Sequence, residues 1–301
     1  MLDEKRGTHG AVIAGIAAHR ETRMTYATIM VSLASDQSNE QCLAVAREMV
    51  DRFEARVIGI AAAEFSPPLY FTSGDEADRL IEQGRSSIKK RLSELEVEFR
   101  KAMGRGSAQV EWRTSMEPPL RFTAREARAA DIIMIGQSRS SAFTDPFARV
   151  SSSDLVMQAG RPLLVVPEAV DWLDLRNVLI AWKDAPEARR AIVDSLPLLH
   201  KAKNVTIVEI VEDRGSREDA LKRTADVVAW LSRHGVLASA LVPEQAEERN
   251  AAIILDRIAS NVGAGVVVAG AYGHSRLREW ILGGVTQHLA TEATRCVLLS
   301  R

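Results

Sequence analysis

Four glycines near the C-terminus, Gly270, Gly273, Gly283 and Gly284, punctuate a loop that leaves the apolar run Gly265-Val-Val-Val-Ala269 and enters the helix-forming stretch Val285-Thr-Gln-His-Leu-Ala290. Residues of this type and spacing suit the holding of an anion. Glycine lets backbone N–H groups approach a ligand without a Cβ in the way, and it tolerates positive φ, expected here at Gly270 and Gly273. A helix N-terminus adds bare amides and the positive end of the helix dipole. The pattern predicts a phosphate cradle in which Gly270, Gly273, Gly283, Gly284, Val285 and Thr286 supply backbone and hydroxyl donors, with no lysine among them. A plain strand-to-helix turn would use the same glycines for tight packing.

The spacing is a glycine, two residues, a glycine, nine residues, then Gly283 and a small residue. It resembles the nucleotide-binding motif of the universal stress protein family. That motif usually closes on Ser or Thr; here the place is held by Gly284, with Thr286 two positions on, which keeps the backbone donors and loses one hydroxyl contact. The resemblance implies an adenine nucleotide, ATP with or without Mg²⁺. It makes Asp184, in Trp182-Lys-Asp-Ala-Pro-Glu187, the carboxylate that contacts the nucleoside, and Ile210 part of the adenine pocket wall. Read for itself, Asp184 with Pro186 and Glu187 behind it also forms a good helix N-cap and capping box, and the two readings are compatible. His274, Ser275 and Arg276 read as exposed loop residues within reach of a phosphate, and Trp280 as a hydrophobic anchor for the loop or a lid over it.

The elements that must position these residues occur twice. A shift of 134 residues lays Gly136 on Gly270 and Leu163-Leu-Val-Val166 on Val297-Leu-Leu-Ser300, and a shift of 149 lays Thr28-Ile-Met-Val-Ser-Leu33 on Asn177-Val-Leu-Ile-Ala-Trp182. The 15-residue difference is assigned to the turn-rich stretch Phe65-Ser-Pro-Pro-Leu-Tyr-Phe-Thr-Ser-Gly74 of the first copy. Each copy alternates five apolar strands with periodic helices. The expected strands are 26–34, 56–63, 108–114, 131–136 and 162–167, then 176–182, 204–211, 236–242, 265–270 and 295–300. This order predicts an α/β fold of two tandem, doubly wound, parallel five-stranded sheets flanked by helices. Ligands of such sheets lie at the carboxyl ends of the strands. Residues 1–23 read as an N-terminal extension, 24–168 as the first repeat and 173–301 as the second, and the resemblance makes the whole of 24–301 similar to a tandem universal stress protein.

The copies differ where the chemistry would be. Arg139, Arg149 and Val150 occupy the first-copy positions of Gly273, Gly283 and Gly284, and their side chains would crowd a phosphate, so the first loop reads as degenerate, with both arginines solvated. The last strands, Pro162-Leu-Leu-Val-Val-Pro167 and Cys296-Val-Leu-Leu-Ser300, fall at sheet edges, where exposed apolar edges invite pairing. Single-repeat members of the resembled family dimerise through this strand, which implies intramolecular antiparallel pairing of the two repeats here and is compatible with a homodimer of such chains.

Composition narrows the function classes. At 301 residues the chain suits about two domains. A net charge of −1 gives no basic field for nucleic acid and no polybasic membrane surface, and no run reaches the length of a membrane span. Met1-Leu-Asp-Glu-Lys-Arg6 and Ala11–Ala18 have the outline of a signal peptide, but His19-Arg-Glu-Thr-Arg23 stands where a cleavage site would be, so a cytoplasmic location is expected. Cys42 and Cys296 read as buried apolar residues, not as a disulfide or metal pair. No P-loop, nucleophile elbow, HExxH, paired CxxC or EF-hand pattern is present, and no residue reads as catalytic or metal-ligating. The expected function is a stress-response protein binding an adenine nucleotide in the second repeat, with binding or slow hydrolysis as the signal. The alternatives are a nucleotide-free scaffold and a hydrolase or nucleotidyl-transfer enzyme on the same fold.

Overall fold

The structure, a computed structural model, describes residues 25–65, 74–104, 109–137, 149–211, 216–244, 250–271 and 284–301. The first half runs β1 (Thr28–Ser32), α1 (Glu40–Phe53), β2 (Arg56–Ala62), α2 (Gly74–Met103), β3 (Val110–Ser115), α3 (Pro119–Glu126), β4 (Ile132–Gly136), α4 (Ser152–Gln158) and β5 (Leu163–Val166). The second runs β6 (Asn177–Trp182), α5 (Pro186–Leu199), β7 (Asn204–Glu209), α6 (Arg217–Arg233), β8 (Ala238–Leu241), α7 (Ala251–Asn261), β9 (Val266–Gly270), α8 (Gly284–Thr291) and β10 (Cys296–Ser300). All ten strands form where the sequence expects them, with ends differing by two residues at most. The inner strands, such as β1, β4, β5, β9 and β10, are runs rich in Val, Ile, Leu, Met and Ala and covered on both sides, the signature of parallel strands between helices, whereas the edge strands β3 and β8 are half-exposed.

The two expected five-stranded sheets are halves of one ten-stranded sheet, ordered β3-β2-β1-β4-β5-β10-β9-β6-β7-β8. Within each half every pairing is parallel. The halves join through one antiparallel ladder, with Val297 opposite Val165, Leu298 opposite Leu164 and Leu299 opposite Leu163.

Alternation along each strand sends successive side chains to opposite faces. On one face Val31, Val178, Ile180 and Leu298 pack with Leu43 of α1, Phe99 of α2, Ile192 of α5 and Leu231 of α6. On the other, Ile133, Val267, Val297 and Leu299 meet Leu155 of α4, Leu255 of α7 and Leu289 of α8, while Phe122 of α3 covers Met30 and Ile58. Cys42 and Cys296 are buried free thiols, each pushed up to about 12, chiefly by burial. Polar ties also cross between the halves: the Tyr26 hydroxyl donates to the Asp194 carbonyl at 2.8 Å, and the Leu173 amide to Glu48 at 2.5 Å. No helix among the described residues is long and apolar enough to cross a membrane.

Candidate functional site

In the second half the chain leaves β6 toward β7 and leaves β9 toward β10, so the crevice of this doubly wound sheet opens at the carboxyl ends of β6 and β9. Gly270 is the last residue of β9. A Cβ on it would lie 2.6 Å from the Ala188 nitrogen and 2.7 Å from the Glu187 carbonyl carbon, so the first turn of α5 rests directly on this backbone. Neither Gly270 nor Gly284 is among the positive-φ glycines. The expected conformational role is thus replaced at Gly270 by close approach.

Gly284 opens α8, exposed and with no described atom within 4 Å of the place a Cβ would take. Val285 is half-buried against the core beneath α7 and α8, and Thr286 is buried in the first turn. Ile210, one residue past β7, is also half-buried on that face. Gly273, Gly283, His274, Ser275, Arg276, Trp280 and Arg139 fall outside the described residues.

Asp184 lies two residues beyond β6 and receives a hydrogen bond from Arg189. The expected capping box does not form: Ala185 is the N-cap of α5 and offers no side-chain acceptor, and Pro186 needs no partner for its missing N–H. Asp184 instead lines a cleft between α5 and α6 with Trp182, Arg223 and Trp230. Deeper at this edge Glu209, the last residue of β7 and the register partner of Trp182, accepts from Arg223 at 2.5 and 3.0 Å. That bond raises the Arg223 guanidinium pKa. Sequence reading missed this cluster, because it depends on how α6 lies against α5; the visible signal was a tryptophan and a glutamate closing two adjacent strands.

The equivalent crevice of the first half is narrow among the described residues. Ser32, Gln37, Ile135, Gly136 and Arg149 surround a cavity of about 20 Å³, room for one water. Arg149, expected to be solvated, is 18% exposed and donates to Asp36 at 2.5 Å. Among the described residues no group of three or more His, Cys, Asp or Glu could hold a metal ion.

Two parallel halves of order 3-2-1-4-5, joined through their last strands, define a tandem doubly wound α/β protein. No protein-family model matches the chain, and no curated protein matches it. Solved structures do. A universal stress protein from Archaeoglobus fulgidus aligns over 91% of this chain and 98% of its own, with 13% identity and a TM-score of 0.64. A provisionally assigned universal stress protein from Pseudomonas aeruginosa aligns over 91% and 93%, with 13% identity and a TM-score of 0.57. A functionally unknown protein from the same species aligns over 91% and 92%, with 12% identity and a TM-score of 0.55. The chain has the tandem universal stress protein fold.

Proposed function

We propose that this protein is a cytoplasmic stress-response protein that binds one adenine nucleotide, ATP with or without Mg²⁺, in its second half, with binding or slow hydrolysis as the signal. In this reading residues 24–168 and 173–301 are the two repeats and 1–23 an extension not needed for binding. Gly270, Gly273, Gly283, Gly284, Val285 and Thr286 hold the phosphates and ribose, Asp184 orients the nucleoside, and Ile210 walls the base.

The observation that carries this reading is the asymmetry of the two crevices. In the first half Arg149, paired with Asp36, lines the crevice, whereas in the second a helix begins at an exposed Gly284 with no described atom within 4 Å of the place a Cβ would take. Amides of that turn can face an anion. A nucleotide-free scaffold is the second reading. It draws support from Gly270, whose packing against α5 explains that glycine without a ligand, and from Asp184, already paired with Arg189.

Mass spectrometry of small molecules released from the purified, denatured protein discriminates the two, since the scaffold releases none. Calorimetric titration is expected to give one ATP per chain, and two equivalent sites would overturn the asymmetry. Gly273→Arg and Gly283→Arg, which write the first repeat into the second, are expected to abolish binding while the thermal transition holds. Turnover is expected well below about 1 per second, the lower end of ordinary enzyme rates.

A further inference from the structure

We infer that the cleft between α5 and α6 is a second small-molecule site, built for an amphipathic monocation whose aromatic body fills the cleft and whose one protonated amine meets Asp226 and the indole of Trp230. The site is separate from the phosphate cradle and does not rest on the nucleotide reading, although Asp184 stands at its rim.

The cleft encloses about 400 Å³, within the range of sites that bury a drug-sized molecule. Its apolar walls are Trp182, Ile192, Val193, Val227 and Trp230. Spacing along the helices puts them there: Arg189, Ile192 and Val193 share one face of α5, and Arg223, Asp226, Val227 and Trp230 share one face of α6. Trp182, Ile192 and Val227 are buried, whereas Val193 is 49% exposed and Trp230 half-buried, so apolar surface is left for a guest to cover. Trp230 is stacked on His234 at 3.9 Å between ring centroids, which fixes its plane. A flat aromatic body suits walls of this kind.

Charge selects the cation. Both guanidiniums of the lining are already matched, Arg189 by Asp184 and Arg223 by Glu209, which lies outside the cleft. Asp226 is exposed at the rim and has no ion pair or hydrogen bond among the described residues. Three carboxylates thus stand against two guanidiniums. The Arg223 pKa is raised, chiefly by its bond to Glu209 and further by the charges of Glu209, Asp184 and Asp219, as befits acidic surroundings. An anion entering the cleft would meet no unmatched positive charge, whereas a cation meets the Asp226 carboxylate. Asp226 and Trp230 are four residues apart on α6 and therefore neighbours on its surface. Tryptophan is the ring that best attracts a cation, so one ammonium group can be held by both.

The first half does not repeat this arrangement. Its groove between α1 and α2 is lined by Arg47, Arg91, Glu98 and Lys101 with no aromatic residue, and Leu33 and Ser35 stand at the positions of Trp182 and Asp184.

The test titrates the full chain, labelled with ¹⁵N, with naphthylmethylamine, naphthylmethanol and naphthoate, one aromatic frame carrying in turn a cation, no charge and an anion. The Trp230 indole signal is assigned by its disappearance in Trp230→Phe. The amine is expected to move that signal and to bind about fivefold or more tightly than the alcohol, with naphthoate weakest. Asp226→Asn is expected to remove most of the amine's advantage while leaving the affinity for the alcohol unchanged. Equal affinity of amine and alcohol for the wild-type chain, a preference for naphthoate, or no movement of the Trp230 signal at about 1 mM amine overturns the proposal. So does an advantage of the amine that survives intact in Asp226→Asn. The order of affinities in the wild-type chain decides even where a variant fails to fold. Repeating the titration on Gly273→Arg separates the sites: binding of the amine is expected to persist there, and its loss would show that the cleft and the cradle are one site.

Discussion

Gly270 and Gly284 belong to one sequence motif yet are glycines for different physical reasons. At Gly270 an added methyl would overlap the backbone of α5, which cannot swing aside as a side chain can. Gly270→Ala is therefore expected to destabilise the protein by about 1–3 kcal/mol, the usual cost of forcing volume into a packed interior. At Gly284, the first residue of α8, no described atom lies within 4 Å of the place a Cβ would take, so Gly284→Ala is expected to be neutral or to stabilise by up to about 1 kcal/mol through reduced chain entropy. Urea unfolding of both variants checks the pair, and equal losses would show that Gly284 is packed as tightly as Gly270. Asp184 and Arg189 are 48% and 58% exposed, so Asp184→Asn is expected to change stability by less than about 1 kcal/mol. A fall in ATP affinity in that variant would then report on the site itself, not on folding.

Elements in the first half are held at one edge by a carboxylate–guanidinium network that predicts an acid response. Glu126, at the end of α3, is 8% exposed and accepts from Arg113 of β3, Arg125 and Arg128. Burial alone would raise its pKa, and these bonds together outweigh it and lower the pKa. Glu111 is lowered chiefly by its bond from Arg113, and Glu117 chiefly by its bond from Arg125. Carboxylates with depressed folded pKa values contribute stability above their unfolded pKa of about 4.3, and that contribution is lost as pH falls through the folded values. Unfolding midpoints are expected to drop between about pH 5 and about pH 3, and Glu126→Gln to lower stability at neutral pH while flattening the acid-side slope. An unchanged slope would mean that the network contributes nothing to the acid limb. The inner strands were legible in the sequence because they are apolar runs buried on both faces. The Asp184 cap was misread because the N-cap of α5 falls one residue later, at Ala185, and the Asp184 carboxylate accepts from Arg189 instead. Arg149 and the α5–α6 cleft were not legible at all, since each depends on a partner brought in by the fold, Asp36 across 113 residues in one case and a neighbouring helix in the other.

Across the whole molecule, the three-pair ladder of β5 and β10 converts two sheets into one and removes both apolar edges from solvent. The edges that remain are β3, which carries Glu111 and Arg113, and β8, four residues long, and charge or shortness blunts each against further pairing. Pro162 and Pro167 flank β5 and offer no N–H, which confines the junction to this short segment. Val165 and Leu298 are each at most 1% exposed, and their side chains serve opposite faces of the sheet. A carboxylate at either position would be buried without a partner, at a cost on the order of 3 kcal/mol or more. Val165→Asp and Leu298→Asp are therefore expected to lower the thermal transition, to enlarge the particle in small-angle scattering and to promote aggregation through the exposed strand edges. Because the two substitutions strike different helical layers but the same ladder, matching effects identify the ladder as the junction. Two variants that keep both the compact scattering profile and the wild-type transition would mean that the halves are held together by the polar ties of Tyr26 and Glu48 instead.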